Sequence, residues 1–86
     1  MLFEYDPIKS KSNQQKHGID FVIGQKLFAD PRLIIIRART EDEPRYLAVG
    51  KIDDRCWSAI ITVRNDKVRL ISIRRSRPEE VVIYES

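Results

Sequence analysis

The sequence predicts an α+β fold in which two helices precede a twisted antiparallel sheet. Two observations predict it: a capped helical segment near the N-terminus, and a change to strand periodicity after Pro31 with short polar turns between β-branched runs. The expected order is a short strand, two helices, a four-stranded meander and a short C-terminal helix. A chain of 86 residues has room for one core, so residues 1–86 are expected to form a single domain.

The first elements follow from helix-boundary signals. Alternating residues over Leu2–Tyr5 predict a short strand. Asp6 is placed to cap a helix that has Pro7 at its first position and ends at His17, before Gly18. This helix is mostly polar, so it is expected to lie outside the core.

A second helix is predicted from Asp20 to Pro31. Asp20 supplies the cap, and Phe21, Gly24 and Phe28 form a stripe at helical spacing.

Four strands follow, with a polar loop and a tight turn among their connections. The predicted strands are Leu33–Ala38, Tyr46–Lys51, Cys56–Arg64 and Val68–Arg75. The loop contains Glu41, Asp42 and Glu43, and Asn65-Asp66 forms the turn into the last strand. Alternation along that strand places Val68, Leu70, Ser72 and Arg74 on one face, with Arg69, Ile71, Ile73 and Arg75 on the other.

The C-terminal segment is compatible with two structures. Ser76, Pro78, Glu79 and Glu80 are typical of a helix N-terminus, whereas residues 81–84 also fit a strand. The sequence favours a short helix.

Charge is distributed unevenly along the chain. The net charge is only +3, but between residues 64 and 77 there are six basic residues and one acid, Asp66. The pattern fits a polyanionic partner and a solvated strand face equally well.

Composition also excludes several classes of protein. Cys56 is the only cysteine, so an internal disulfide and a cysteine-based metal site are excluded, and a buried thiol is favoured. The acidic residues have no metal-site spacing, and no cofactor is expected. No signal peptide is recognisable, and the longest apolar runs, such as Leu33–Ile36, are far short of a membrane span. A cytoplasmic protein without membrane association is expected.

Several segments, in order and spacing over nearly the whole chain, resemble the BrnT family of toxins. They are Phe3-Glu4-Tyr5-Asp6-Pro7, Asn13 with Lys16-His17-Gly18-Ile19 and Phe21, Phe28-Ala29-Asp30-Pro31, Glu43 with Arg45 and Gly50, Val68–Arg75, and Glu80 with Tyr84. The chain departs from the usual family sequence at four positions. Tyr5 replaces Trp, Gln14 replaces Leu, Pro44 interrupts the segment in which an acidic residue and an Arg begin a strand, and Arg77 replaces a capping Thr. The last departure favours Ser76 as the helix cap.

The resemblance implies a RelE-like fold and a ribonuclease toxin of a type II toxin–antitoxin pair. The implied partner is a BrnA-like antitoxin with a ribbon-helix-helix region, so DNA would be contacted only through the complex. The implied substrate is RNA, with mRNA, free or on the ribosome, as the candidate.

RNA cleavage without a metal uses the 2′-hydroxyl as nucleophile and needs proton transfer and cations at the phosphate. A mechanism with two histidines is excluded because His17 is the only histidine. His17 is a candidate acid or base, and its alternative is a helix C-terminal residue. Lys16 is a candidate phosphate contact or a solvated lysine.

Two arginines complete the predicted catalytic set. Arg74 is expected on a face with apolar residues, where a charge needs a phosphate or an ion pair with Glu43 or Glu80. Arg45 is a second candidate phosphate clamp, or a partner of Glu43.

Arg64, Arg75 and Tyr84 are candidate RNA-binding residues. The alternatives are an edge-protecting charge for Arg64 and packing on the sheet for Tyr84. A catalytically inactive toxin-like module that binds an antitoxin or RNA is the competing function.

Overall fold

The computed structural model describes residues 1–40 and 42–86, and Glu41 of the predicted polar loop lies outside them. The elements are β1 (Leu2–Glu4), α1 (Pro7–His17), α2 (Phe21–Gly24), a 3₁₀ helix (Gln25–Ala29), β2 (Ile34–Ala38), β3 (Arg45–Ile52), β4 (Arg55–Arg64), β5 (Lys67–Arg75) and α3 (Pro78–Glu85). The predicted α+β class is confirmed, and residues 78–85 form a helix. The second predicted helix, from Asp20 to Pro31, is instead a four-residue α-helix that continues as the 3₁₀ helix. Within the described residues, no helix is long and apolar enough to cross a membrane.

The five strands form one sheet in the order β1-β5-β4-β3-β2. Strands β2 to β5 are antiparallel neighbours, and β1 pairs parallel to β5. Two-residue turns at Asp53-Asp54 and Asn65-Asp66 join β3 to β4 and β4 to β5, with φ between 49° and 69°. Asn and Asp tolerate this left-handed region, which matches the twist of the hairpin strands.

A β-bulge interrupts the pairing of β4 with β5. Ile60 lies opposite Ser72, whereas the next residue, Ile61, lies opposite Leu70, so Ile71 is an extra residue in β5. Residues 72–75, which follow the bulge, therefore lie on the faces opposite to those that strict alternation along β5 predicts.

The predicted faces of β5 are wrong for this reason. Leu70 and Ile73 both enter the same core, although strict alternation separates them. Arg74 consequently lies on the face of Arg69, opposite to Leu70 and Val68.

One face of the sheet is covered by the N-terminal helices. The buried side chains of this core come from α2, the 3₁₀ helix and the three central strands, and include Phe21, Leu27, Ala48, Ala59, Ile61, Leu70 and Ile73. We call this side the helix-covered face.

Helix α1 contributes no side chain to the apolar core, as its polarity predicts, and it docks through hydrogen bonds instead. Asn13 donates from Nδ2 to the carbonyl oxygens of Ile19 and Ile73, both at 2.8 Å, and accepts from the Ile73 amide at 3.1 Å. The hydroxyl oxygen of Ser10 accepts from the Phe21 amide at 2.9 Å. Asn13 thus satisfies the backbone of β5 at a position that β1 is too short to reach.

Helix α3 covers part of the opposite face. Val81 and Tyr84 pack there against Val49 and Cys56. The N-cap of α3 is Arg77, so the expectation of a cap at Ser76 is wrong. The Ser76 hydroxyl is held instead by the Ser58 hydroxyl, at 2.8 Å.

Replacing Asn13 should reveal how strongly α1 is held. Asn13→Ala leaves the buried amide and carbonyl of Ile73 and the carbonyl of Ile19 without their partner. The free energy of unfolding should fall by about 2–3 kcal/mol. Urea unfolding followed by circular dichroism measures the loss, and Gln14→Ala, at the adjacent exposed position, should be nearly neutral. Equal effects of the two substitutions would contradict this docking.

Candidate functional site

The part of the sheet that α3 leaves uncovered carries a row of basic side chains, and we call it the open face. By register it consists of Arg45 of β3, Ile60, Thr62 and Arg64 of β4, Lys67, Arg69, Ser72 and Arg74 of β5, and Glu4 of β1. Neighbouring strands are about 4.8 Å apart, so arginine side chains on adjacent strands are within reach of one another.

Glu43, just before β3, lies between two of these arginines. Arg64 donates from Nε and Nη2 to Glu43 Oε2 at 3.1 and 2.8 Å, and Arg45 Nη2 lies 4.0 Å from Oε1. We call these three residues the Glu43 cluster. Hydrogen bonding by Arg64 holds the pKa of the Glu43 carboxyl below its ordinary value. The two arginine side chains are 43% and 50% exposed, so both guanidinium groups are open to solvent.

Hydrogen bonds from two threonine hydroxyls hold the backbone at Glu43 and Pro44. The Thr40 hydroxyl donates to the Glu43 carbonyl at 2.9 Å, and the Thr62 hydroxyl donates to the Pro44 carbonyl at 2.7 Å. The backbone that carries the Glu43 carboxylate is therefore held at the start of β3 by Thr40 and by Thr62 of β4.

Arg69 is a further cation of the open face, and alternation along β5 did not single it out. Its Nη1 lies 3.7 Å from Glu4 Oε1 across the β1–β5 pair. Both side chains are about 30% exposed, so the contact is a partly solvated ion pair.

Arg74 forms a bidentate ion pair with Glu80 of α3. Nη1 and Nη2 donate to Oε1 and Oε2 at 2.8 and 2.9 Å. The Ser58 hydroxyl and the Arg77 amide also donate to Oε1, both at 2.8 Å. These donors, with Arg74 first, lower the pKa of Glu80 to about 2, and the same pair raises the pKa of Arg74. The ion pair that the sequence left open as an alternative is present, and a phosphate contact by Arg74 stays a prediction.

Lys16 and His17 lie at the edge of the sheet. Together with Lys9, Ser12, Asn13, Ile71 and Ser72 they line a depression between α1 and β5, which we call the α1–β5 groove. Ser72 belongs to the open face by register, so the groove and the open face meet at this residue. Arg45, two strands away from β5, lines a different depression with Thr40, Asp42 and Glu43.

The structure therefore brings the predicted site residues together only in part. Arg45, Arg64 and Arg74 share the open face, while Lys16 and His17 approach it from the edge.

The remaining two candidates, Arg75 and Tyr84, are not exposed on the open face. The guanidinium of Arg75 lies 5.5 Å from the ring centre of Trp57, on the helix-covered face. Tyr84 is 5% exposed, and its hydroxyl donates to Asp30 Oδ2 at 2.6 Å. RNA contacts by Arg75 and Tyr84 stay predictions, and a stacking role for Tyr84 requires α3 to move.

A comparison with protein-family models identifies the group to which the chain is related. The model of BrnT, the ribonuclease toxin of type II toxin–antitoxin systems, matches residues 5–80. The chain belongs to the BrnT family. The matched segment contains the whole Glu43 cluster, the Arg74–Glu80 pair and the α1–β5 groove, so these features of the BrnT chain lie inside the family region. No curated protein matches the chain.

The Glu80 network predicts a defined pH dependence of stability. Its folded-state pKa of about 2 lies below its ordinary value of 4.5. The stabilisation is therefore present above pH 4.5 and is lost as the pH falls toward 2. Urea unfolding of the wild type and Glu80→Gln should give a difference in free energy that is largest at neutral pH and shrinks over that range. A difference independent of pH would argue against the ionised pair.

A paired substitution separates the structural role of Arg74 from RNA contact. Arg74→Met alone leaves the Glu80 carboxylate without its cation and should cost about 3 kcal/mol. Arg74→Met with Glu80→Leu should recover most of this stability, because the uncompensated charge is gone. We expect the double variant to retain RNA cleavage, measured with a labelled oligoribonucleotide. A stable but inactive double variant would instead support direct RNA contact by Arg74.

Proposed function

We propose that this BrnT chain is an endoribonuclease that holds RNA on the open face and cleaves it without a metal. The 2′-hydroxyl gives up its proton and attacks the adjacent phosphate, the bond from phosphorus to the 5′-oxygen breaks, and the leaving oxygen takes a proton from water, which gives a 2′,3′-cyclic phosphate and a free 5′-hydroxyl. The observation that carries the proposal is the Glu43 cluster, in which a carboxylate lies beside two solvent-accessible guanidinium groups. A proton acceptor and phosphate-binding cations are thus adjacent, as this reaction requires.

In this proposal the phosphate is bound by Arg45 and Arg64. A guanidinium group matches the oxygen geometry of a phosphate as well as that of a carboxylate, so an RNA phosphate can take over hydrogen bonds now made to Glu43. Exposed ion pairs contribute little net free energy, so the exchange costs little. The contact between Arg45 and Glu43, at 4.0 Å, is the looser of the two and would open first. Charge that develops on the phosphoryl oxygens and on the leaving 5′-oxygen is then stabilised by both arginines.

Glu43 is the proposed general base. The Arg64 hydrogen bonds keep its pKa low, so the carboxylate is ionised at neutral pH before RNA binds. Once the phosphate takes over the guanidinium groups, the carboxylate loses those donors and its pKa rises, which makes it a better proton acceptor. Binding of the substrate would therefore activate the base.

The other cations of the site have supporting roles in this proposal. Arg69 adds to the positive potential of the open face next to Thr62, its partner across the β4–β5 pair. Arg74 is a positioning residue, because its guanidinium fixes Glu80 and the first turn of α3 at one end of the open face. Since β3 and β5 are about 10 Å apart, His17 and Arg45 would contact different parts of the RNA.

We also propose the protein partner of this chain. A type II toxin is paired with a protein antitoxin, and the resemblance noted in the sequence favours a BrnA-like antitoxin with a ribbon-helix-helix region. The chain itself would then contact DNA only through that complex. Co-expression of the neighbouring gene should relieve growth arrest caused by the toxin.

Two substitutions in the Glu43 cluster test the proposed reaction. Glu43→Gln should lower kcat for RNA cleavage by about 10²-fold or more while RNA binding persists, since the amide cannot accept the proton. Arg45→Ala should lower kcat/KM by about 10²-fold through loss of phosphate stabilisation. Both are measured with purified protein and a labelled oligoribonucleotide in the presence of EDTA.

Arg37→Ala is the matched control for charge. Arg37 of β2 lies opposite Tyr46 of β3, so its side chain is on the helix-covered face of the sheet. Its loss should therefore leave RNA cleavage unchanged. Full activity of Glu43→Gln would overturn the assignment of the base. RNA binding by the wild type without any cleavage would favour the inactive binding module.

A further inference from the structure

The cations of the α1–β5 groove differ from the arginines of the open face in how their charges are compensated. On the open face, Arg45, Arg64, Arg69 and Arg74 each lie within 4.0 Å of a carboxylate oxygen. Among the described residues, no hydrogen bond or ion pair to a carboxylate involves the groove residues Lys9, Lys16 and His17, and no acid lines the groove. Its cations are therefore available to an external anion without displacing an internal one.

The charge of α1 is not explained by helix stability alone. Residues 7–17 contain three lysines and one histidine and no acid. Lys16 and His17 are near the C-terminus, where the helix dipole favours cations. Lys9 is in the first turn, where the dipole disfavours a cation, so helix stability does not account for this lysine.

The geometry of α1 directs these residues to one side. Lys9, Ser12, Asn13 and Lys16 follow the spacing i, i+3, i+4, i+7 and so share a helix face. Asn13, at the centre of that face, is bound to the backbone of Ile73, which fixes the rotation of the helix. Lys9 and Lys16 consequently lie on either side of Asn13 along the free edge of β5, with the hydroxyls of Ser12 and Ser72 in the same groove.

From this arrangement we infer that the α1–β5 groove binds backbone phosphates of the RNA strand beyond the cleaved position. The groove meets the open face at Ser72, so one strand can pass from the Glu43 cluster, across β5, to the lysines of α1. The groove is lined by lysine and serine side chains and contains no Phe, Tyr or Trp, which is typical of contact with the nucleic-acid backbone. Lys16 and His17 are then RNA-binding residues, and the acid–base role predicted for His17 is not needed.

The inference rests on the proposed function for the identity of the polyanion, and the two are tested separately. The groove is probed by fluorescence anisotropy with a labelled 2′-O-methyl oligouridylate, which lacks the nucleophile and cannot be cleaved. Cleavage is probed with a dinucleoside monophosphate, which carries only the phosphate to be cleaved and does not extend to the groove. Failure of dinucleotide cleavage with intact oligonucleotide binding would contradict the proposed function alone.

For the groove, the variant is Lys9→Ala with Lys16→Ala. Each phosphate contact to a single strand contributes about 0.7 to the slope of log K against log salt, so the double variant should lower that slope by about 1.4. Lys11→Ala is the control, because Lys11 is an exposed lysine on another face of the same helix and its loss should leave affinity and slope unchanged.

Two results would overturn the inference. One is an oligonucleotide affinity and salt slope of the double variant equal to those of the wild type. The other is a loss of oligonucleotide affinity in Lys11→Ala that equals the loss per lysine in the double variant. Such a result would indicate an effect of net charge rather than binding in the groove. Circular dichroism verifies that α1 remains folded in each variant.

Discussion

The extra residue in β5 determines how the chemistry of this chain is distributed between the two sides of its sheet. Because Ile71 is inserted opposite the Ile60–Ile61 step, the strand can bury both Leu70 and Ile73 under the N-terminal helices. The same shift turns Arg74 outward, to the side that carries Arg69 and Arg45. Without it, a guanidinium would enter the core and the open face would lose the residue that holds α3. The core and the basic surface are thus set by one local irregularity.

The arginine–carboxylate pairs of the open face differ in how deeply they are buried. Each arginine of this face lies within 4.0 Å of a carboxylate oxygen, but the pair at α3 and the pairs of Glu43 differ in burial. The Arg74–Glu80 pair is mostly buried, and its carboxylate accepts two further hydrogen bonds, from Ser58 and from the Arg77 amide. This arrangement suits a permanent contact between α3 and the sheet. The contacts of Glu43 with Arg45 and Arg64 are exposed, which suits exchange with a ligand. Similar residue types therefore support the structure at one end of the face and remain available to an external anion at the other.

Sequence alone predicted the elements of this fold, because their signals are local. Caps such as Asp6 and Asp20, and the turn at Asn65-Asp66, depend on neighbouring residues and were confirmed. The docking of α1 could not be predicted, since the bonds of Asn13 to Ile73 join residues that are 60 positions apart and leave no periodic pattern.

The same distinction holds for the site. Arg45, Arg64 and Arg74 could be selected as site candidates from residue type and position in the chain. Their partners could not be chosen, because Glu43 and Glu80 were equally plausible for Arg74 until the packing of α3 was known. Arg69 was missed because a bulge produces no signal in an alternating pattern.

The hydrogen bonds of Asn13 to β5 also affect how copies of this protein can meet. A strand at the border of a sheet exposes unpaired amide and carbonyl groups that invite pairing with another chain. Along β5 this border is occupied first by β1 and then, at Ile73, by a side-chain amide. At the other border, β2 pairs with β3 on one side and with no described strand on its outer side, and its Ile35 is 52% exposed. Within the part of the chain described, strand addition by a second molecule is thus directed to β2, far from the groove at the opposite border.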